Sequence, residues 1–487
     1  MTSIPTDTRV PFVHVAFDGV AQQNGPALQP FRVLVLGLRT SGTVAQKTPK
    51  LVTSAEQAAE YFGQGSMLHG MARRYFAARP GCETWFCALD DTGTAATGTV
   101  TLSGTATENG TLSLYVAGEL VPVVVTAGDA AATVAAALVA AIDARPHLPV
   151  SAAAVSAVVT LTANQTGTEG NAIDLRLNRF STEVTPAGLT AALVLMGAAV
   201  AGAGSPTIDS TLWAAIGEDQ FNVLAVGLDA SVAATVNAIE AELDDRAAPP
   251  RMIEGLACFA VSDSHSNLIT LGDAQNGKYV SVLALSSSDL APNWELAAAY
   301  AAAVAREGKA DPARPLTTVE LVGIVAPDVA DTFSFDERDL LLKDGIATAK
   351  VTGDVVRIER AITQYQENAV GAPDTGFLDV NTILTLSYLR WFVRTRFASK
   401  YPRHKLADDG TSFAAGQPVL TPKLIKAELL SYFREWESLG LVEGFDQFKA
   451  DLVVERSATD PNRVDVVMGP DLVNQMRVLG VSLQHIV

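Results

Sequence analysis

Cysteine is scarce in this chain and forms no pattern: Cys82, Cys87 and Cys258 give an odd count, with neither CxxC nor zinc-ligand spacing. That excludes a disulfide framework and a structural zinc site and leaves buried free thiols. Charge is thin as well, 18% of residues against 48% hydrophobic ones. Such a balance buries much surface and suits outer faces that partners cover, as in self-assembly. Positive charge is the scarcer sign, with 35 Lys and Arg against 53 Asp and Glu and a net charge of −18. A nucleic-acid-binding role for the whole molecule is thereby disfavoured, because phosphate affinity needs Lys and Arg over a broad face. No H-E-x-x-H, paired-histidine or clustered-carboxylate pattern occurs, so no metal or other cofactor is expected. The first ten residues hold Pro5, Asp7 and Arg9 but no apolar run, so no secretory signal is expected and synthesis should end in the cytoplasm. The uncharged stretch 187–204 approaches spanning length, but Gly188, Gly197, Gly202 and Gly204 interrupt it. It reads as a strand and glycine linker.

At roughly 150 residues per domain, 487 residues suggest about three domains. Val13, Val15 and Phe17 alternate with polar or small residues over 8–17, the pattern of a half-buried strand, and a polar tether follows over 18–30. RVLVLGL at 32–38 reads as a buried strand, Ser54-Ala-Glu-Gln as a capping box opening a helix, 67–78 as a helix and 84–89 as a strand. Thr, Ser, Gly and Val then dominate over 94–178, with short strands around one Ala-rich helix at 130–144. This module looks inserted, because strands at 223–227, 255–261 and 279–285 then alternate with helices at 232–245, 267–274 and 294–306. That alternation predicts a parallel sheet covered on both faces. A third region begins after Asp354, with a strand at 355–364, helices at 380–398 and 421–439, and strands at 448–456 and 463–468.

Two enzyme-like strings fail on context. Gly410-Thr411-Ser412 resembles the nucleophile signature of subtilisin-like proteases, and His69 and Asp91 echo its other members. That family runs Asp, His, Ser, however, whereas His69 here precedes Asp91. Asp408, Asp409 and Gly410 instead give plain turn chemistry. Residues 272–278 match phosphate-loop spacing, but Tyr279 stands where Ser or Thr must hold magnesium, and the segment leads into a strand rather than a helix.

The stretch 389–405 carries Arg390, Arg394, Arg396, Lys400, Arg403 and Lys405 with no acid among them. Leu386, Leu389, Trp391, Phe392, Val393 and Phe397 interleave these cations, so one side packs inward while the other projects positive charge toward something acidic. A solvated face is the plainer reading. In the next helix, Leu424, Leu429, Tyr432, Phe433 and Trp436 read as core.

Taken together, Arg9-Val-Pro-Phe-Val-His-Val15, Val33-Leu-Val-Leu-Gly37, 358–366 (IERAITQYQ), 401–410 (YPRHKLADDG), Asp460-Pro-Asn-Arg463 and 470–475 (PDLVNQ) resemble the tail sheath proteins of contractile phages, in their Mu-like branch. The resemblance covers nearly the whole chain. It implies a multi-domain α/β fold: a subtilisin-like core without protease activity, an inserted β-rich outer domain, and an α+β C-terminal domain lining the lumen. The parts would be 1–30 arm and tether, 31–93 and 200–354 core, 94–199 insertion, 355–462 C-terminal domain and 463–487 arm. It implies a non-enzymatic subunit, assembled in the host cytoplasm into six-membered rings stacked helically around a tail tube. Contraction would then drive the tube through the host envelope. Its partners would be itself, the tail tube protein, and baseplate and tail terminator proteins, without nucleic acid or membrane insertion. Arms linking subunits would carry Val10, Phe12, Val13, Val15 and Phe17 at one end and Val464, Val466 and Met468 at the other. The six cations would face the tube, and 18–30 and 457–462 would act as hinges. The alternatives are a subtilisin-like hydrolase and a baseplate or adhesion component.

Overall fold

The computed structural model describes residues 29–90 and 93–485. Strand β1 (Arg32–Leu38) is buried at every residue but its first, as a strand covered on both faces must be. After it come β2 (Lys50–Leu51), α1 (Ala55–Phe62), α2 (Met67–Ala77) and β3 (Glu83–Leu89). Ser54 caps α1 through the N–H of Gln57, but the expected reciprocal bond is not made: the Gln57 side chain accepts from the backbone and hydroxyl of Thr53 instead.

The insertion contains β4 (Thr97–Gly104), β5 (Gly110–Val116), β6 (Glu119–Val125), α3 (Ala131–Asp143), β7 (Val150–Val155), β8 (Val158–Ala163), β9 (Leu175–Leu177) and β10 (Leu189–Val194). They form two antiparallel sheets, in the orders β10-β4-β8-β7 and β6-β5-β9. Helix α3 buries Val134, Leu138 and Ile142 and packs against strands of both sheets. The uncharged stretch 187–204 thus holds strand β10, and among the described residues no helix is long and apolar enough to cross a membrane.

The α/β alternation then resumes with α4 (Ser210–Ile216), β11 (Val223–Val226), α5 (Ala233–Ala247), β12 (Leu256–Asp263), α6 (His265–Asp273), β13 (Val280–Ser286), α7 (Asn293–Ala310), β14 (Glu320–Val325), α8 (Phe335–Lys343), β15 (Ala347–Thr352) and β16 (Val355–Arg360). The large sheet has the order β14-β16-β15-β13-β12-β11-β1-β3-β2. Its centre, β15 to β3, is parallel throughout. Both faces are covered: Leu34 and Leu224 meet Trp213, Ile216 and Leu243 on one side, while Gly37 and Gly227 lie against Met67 and Met71 on the other. Helix α7 is buried on nearly every side, which explains its run of alanines. Strand β16 pairs with β15 and β14, so it belongs to this sheet rather than to the region that follows. Of the thiols, Cys87 and Cys258 are buried and Cys82 is half-buried. Burial pushes Cys87 up to about 12.

The last region holds α9 (Val380–Lys400), β17 (Lys405–Leu406), β18 (Val419–Leu420), α10 (Pro422–Ser438), β19 (Val442–Glu443), α11 (Phe445–Asp451), β20 (Val453–Arg456), β21 (Val464–Val467) and β22 (Asp471–Leu472). Phe448, expected in a strand, lies on helix α11, where its ring stacks on Phe433 at 4.3 Å. Its ladders are all two-stranded: β17 with β18, β19 with β22, and β20 with β21.

Candidate assembly surface

Helix α9 and its partner α10 build the C-terminal core. Leu389 and Phe392 face Leu429, Tyr432, Phe433 and Trp436, and Phe392 meets Tyr432 and Trp436 edge-on at 5.3 and 5.7 Å. Leu424, expected in this core, is 53% exposed. Thr421 caps α10 with Pro422 at its first position, where a missing N–H costs nothing.

The cations are largely spoken for within the chain. Arg390 donates to Glu254 at 2.9 Å and to the Ala247 carbonyl at 2.7 Å, and Glu254 is only 5% exposed. Arg396 bonds Glu435 at 2.7 Å and also lies over the Phe392 ring. Lys400 donates to both oxygens of Glu428 at 2.7 Å, a bond that raises its pKa. Arg394 is exposed and donates to the Met252 carbonyl. The helix stops at Lys400, so Arg403 and Lys405 stand outside it, exposed and with no ion pair among the described residues. Acids remote in sequence thus fold against Arg390, Arg396 and Lys400, of which Arg390 and Lys400 remain exposed.

Val464 and Val466 lie on β21, which pairs antiparallel with β20 of its own chain, Val454 opposite Val466 and Arg456 opposite Val464. Met468 packs against the C-terminal core. The stretch 457–462, expected as a hinge, is the bonded turn of this hairpin: Ser457 N–H donates to the Arg463 carbonyl, and Arg456 donates to the Pro461 carbonyl. Both outer edges of the hairpin are unpaired among the described residues. Beyond β22 no further element forms among the described residues. Val478, Leu479, Val481 and Leu483 are 87, 71, 67 and 93% exposed, and among the described residues no backbone hydrogen bond joins 474–485 to another segment. Val10, Phe12, Val13, Val15 and Phe17 lie outside the described residues.

Beside the hairpin opens a cleft of about 430 Å³ lined by Tyr279, Phe377, Leu386, Val393, Trp436 and Met468. The Trp436 indole N–H and the Ser387 hydroxyl, both buried, have no hydrogen-bond partner there.

The customary ligand site of a parallel α/β sheet is the crevice at the carboxyl ends of its strands. Here the insertion, leaving after β3, covers it: Arg176 donates to the Ser288 carbonyl at 2.8 Å, and Gly118 sits against Leu290. Asp289 is buried beneath this contact. Its Oδ2 accepts from Ser262, its Oδ1 has no partner, and burial pushes its pKa up to about 7. The described members of the enzyme-like strings lie in unlike surroundings. Ser412 is in an exposed loop, whereas His69 is buried on α2, accepts the Gly65 N–H, and is held by burial down to about 4. Asp91 lies outside the described residues. Segment 272–278 is a helix-to-strand turn whose Lys278 pairs with Asp244 at 2.7 Å.

Comparison with known proteins names the class. Residues 91–190 match the phage tail sheath protein beta-sandwich domain, 184–364 the phage tail sheath protein central domain, and 372–485 the phage tail sheath C-terminal domain. The chain is 37% identical to the Mu-like prophage FluMu tail sheath protein of Haemophilus influenzae, over 99% of both chains. Solved structures similar to it include a sheath tail protein of Desulfitobacterium hafniense (15% identity, 95% of this chain and 100% of that one, TM-score 0.46) and one of Listeria innocua (13%, 92% and 93%, 0.48). The chain belongs to the Mu-like phage tail sheath proteins, a structural family of the virion.

Proposed function

We propose that copies of this chain polymerise as six-membered rings stacked helically around a tail tube, and that the sheath shortens and widens to drive the tube through the host envelope. The core would be the subtilisin-like scaffold of such subunits, without catalysis. The observation that carries the reading is the pairing state of the C-terminal region: a hairpin with two open edges, and a tail that exposes apolar side chains without ladder partners. A tail from one copy laid on the hairpin of another would add about four to six backbone hydrogen bonds at roughly 0.5–1.5 kcal/mol each, enough to hold while subunits rotate. Val464 and Val466 then receive a strand rather than donate one, and the donors are the residues from Val478 onward and the segment holding Val10, Phe12, Val13, Val15 and Phe17.

Contact with the tube falls in this reading to Arg394, Arg403 and Lys405, while Arg390, Arg396 and Lys400 hold the subunit together. Exposed pairs of about 0–1 kcal/mol each, screened by salt, release as the sheath expands. Baseplate and tail terminator proteins would close the ends, with assembly in the host cytoplasm. Negative-stain microscopy of the purified chain tests this: striated hollow cylinders support it, and monodisperse particles at all concentrations and salts overturn it. A chain lacking residues 1–17 should stay as soluble subunits.

A further inference from the structure

The tail does not leave the body where its last strand ends. Strand β22 has a ladder of only two residue pairs with β19, and one more backbone bond, Val473 N–H to the Leu441 carbonyl, follows it. So short a ladder would peel if the tail were pulled. Two residues further on, the chain is held again, this time by side chains. Gln475 donates to the Ala313 carbonyl at 3.4 Å, and Arg477 donates to Asp379 Oδ1 at 2.6 Å and to the Gln475 side-chain oxygen. Both members of the ion pair are largely covered, with 20 and 26% of their side chains exposed.

Asp379 is well placed to take load. It is the N-cap residue of α9, its backbone forms a bridge with Ile362, and its carboxylate is shared with Arg360 of β16 at 3.3 Å. The Ile362 carbonyl in turn accepts from Ser281 on β13, in the middle of the large sheet. Asp379 therefore connects the tail to β16 through its carboxylate, and to the start of the long helix and the centre of the core through its backbone. Immediately past it the side chains turn outward, with Val478 and Leu479 exposed.

We infer that Arg477, through Asp379, is the fixed point of the C-terminal arm: it passes tension on the tail into α9 and the large sheet, and spares β19 and β22. Only the segment after it is free to cross to another copy. The ten residues 478–487 would span at most about 33–36 Å when extended, an upper bound on the gap they can bridge. This inference rests on the reading of the tail as an arm, and two measurements separate the two ideas.

The first measures hydrogen exchange in dispersed full-length subunits. Arg477→Ala should speed exchange of the ladder amides at 471–473 by about tenfold or more, with β20 and β21 unchanged, and Arg477→Lys should restore part of the protection. Exchange equal to wild type over 471–473 would overturn the anchor, whatever the tail does. The second uses assembled cylinders. Arg477→Ala cylinders should form but break into short pieces when contraction is triggered by denaturant, at concentrations where wild-type cylinders contract intact. Unbroken contraction of the variant would count against the anchor. A chain ending at Arg477 should not assemble; if it makes normal cylinders, the arm reading is wrong, and the first measurement still reports on the anchor.

Discussion

The sheet region and the C-terminal region are built from the same kinds of residue but finished to different degrees. In the first, six adjacent parallel strands run from β15 to β3, the sheet is covered on both faces, and the crevice at the strand ends is closed by the insertion. In the second, three two-stranded ladders surround one aromatic core, two strand edges stay open, and a run of apolar side chains faces water. A chain that completes one part by itself and leaves the other to be completed is organised for assembly, because open edges and uncovered apolar side chains are what a lone protein avoids.

Four substitutions break or sharpen that contrast, ordered by their effect on the isolated subunit. Trp294→Ala, in the wall of α7 facing Gly70 and Gly227, should lose about 3–5 kcal/mol in a urea titration; a loss under about 1 kcal/mol would show the sheet region to be loosely packed. Asp289→Asn concerns the covered crevice. With its pKa at about 7 in the folded chain, above the unfolded value, Asp289 keeps its proton where the unfolded chain has lost it. Its contribution is therefore full at and below about pH 4, falls as pH rises to about 7, and is lost above that, by on the order of a few kcal/mol. The variant should flatten thermal stability between those pH values, and an unchanged slope would place the pH dependence elsewhere.

Arg390→Ala leaves the buried Glu254 carboxylate without its cation. Because Arg390 itself is 40% exposed, a loss of about 1–2 kcal/mol is expected in the same titration. No loss of stability together with weaker tube binding would return Arg390 to the tube-facing set. Leu483→Asp should change subunit stability by less than about 0.5 kcal/mol while abolishing cylinders in the microscope. Subunits destabilised by that change would mean that the tail packs on its own body.

What the sequence discloses follows from how local each signal is. The buried runs of β1 and β13 and the alanine face of α7 are local, so the α/β alternation could be read directly. The fate of the basic helix could not, because Arg390 finds Glu254 across 136 residues and Arg396 finds Glu435 across 39. A charge run without acids says nothing about acids brought to it by folding. The pairing of 464–467 is silent for a similar reason: alternation marks a strand but does not name its partner, which here is β20 of the same chain, where helix α11 replaces the first half of the expected strand. The capping box at Ser54 had the right letters, but Thr53 took the bond.

Where the chain passes between core and insertion, Thr94 and Ala203 exchange both backbone bonds at 2.8 and 3.0 Å. That pairing invites excision, yet trimming there would bare Leu290 and wet the Asp289 carboxyl, leaving a greasy, acid-bearing scar on every copy. Decorating the outer turns is the safer course for anyone wishing to display a cargo. Around Gly128, which keeps its own place because its φ is +99° but borders open space, a graft lengthening the 126–129 turn would leave the seal over the strand ends untouched.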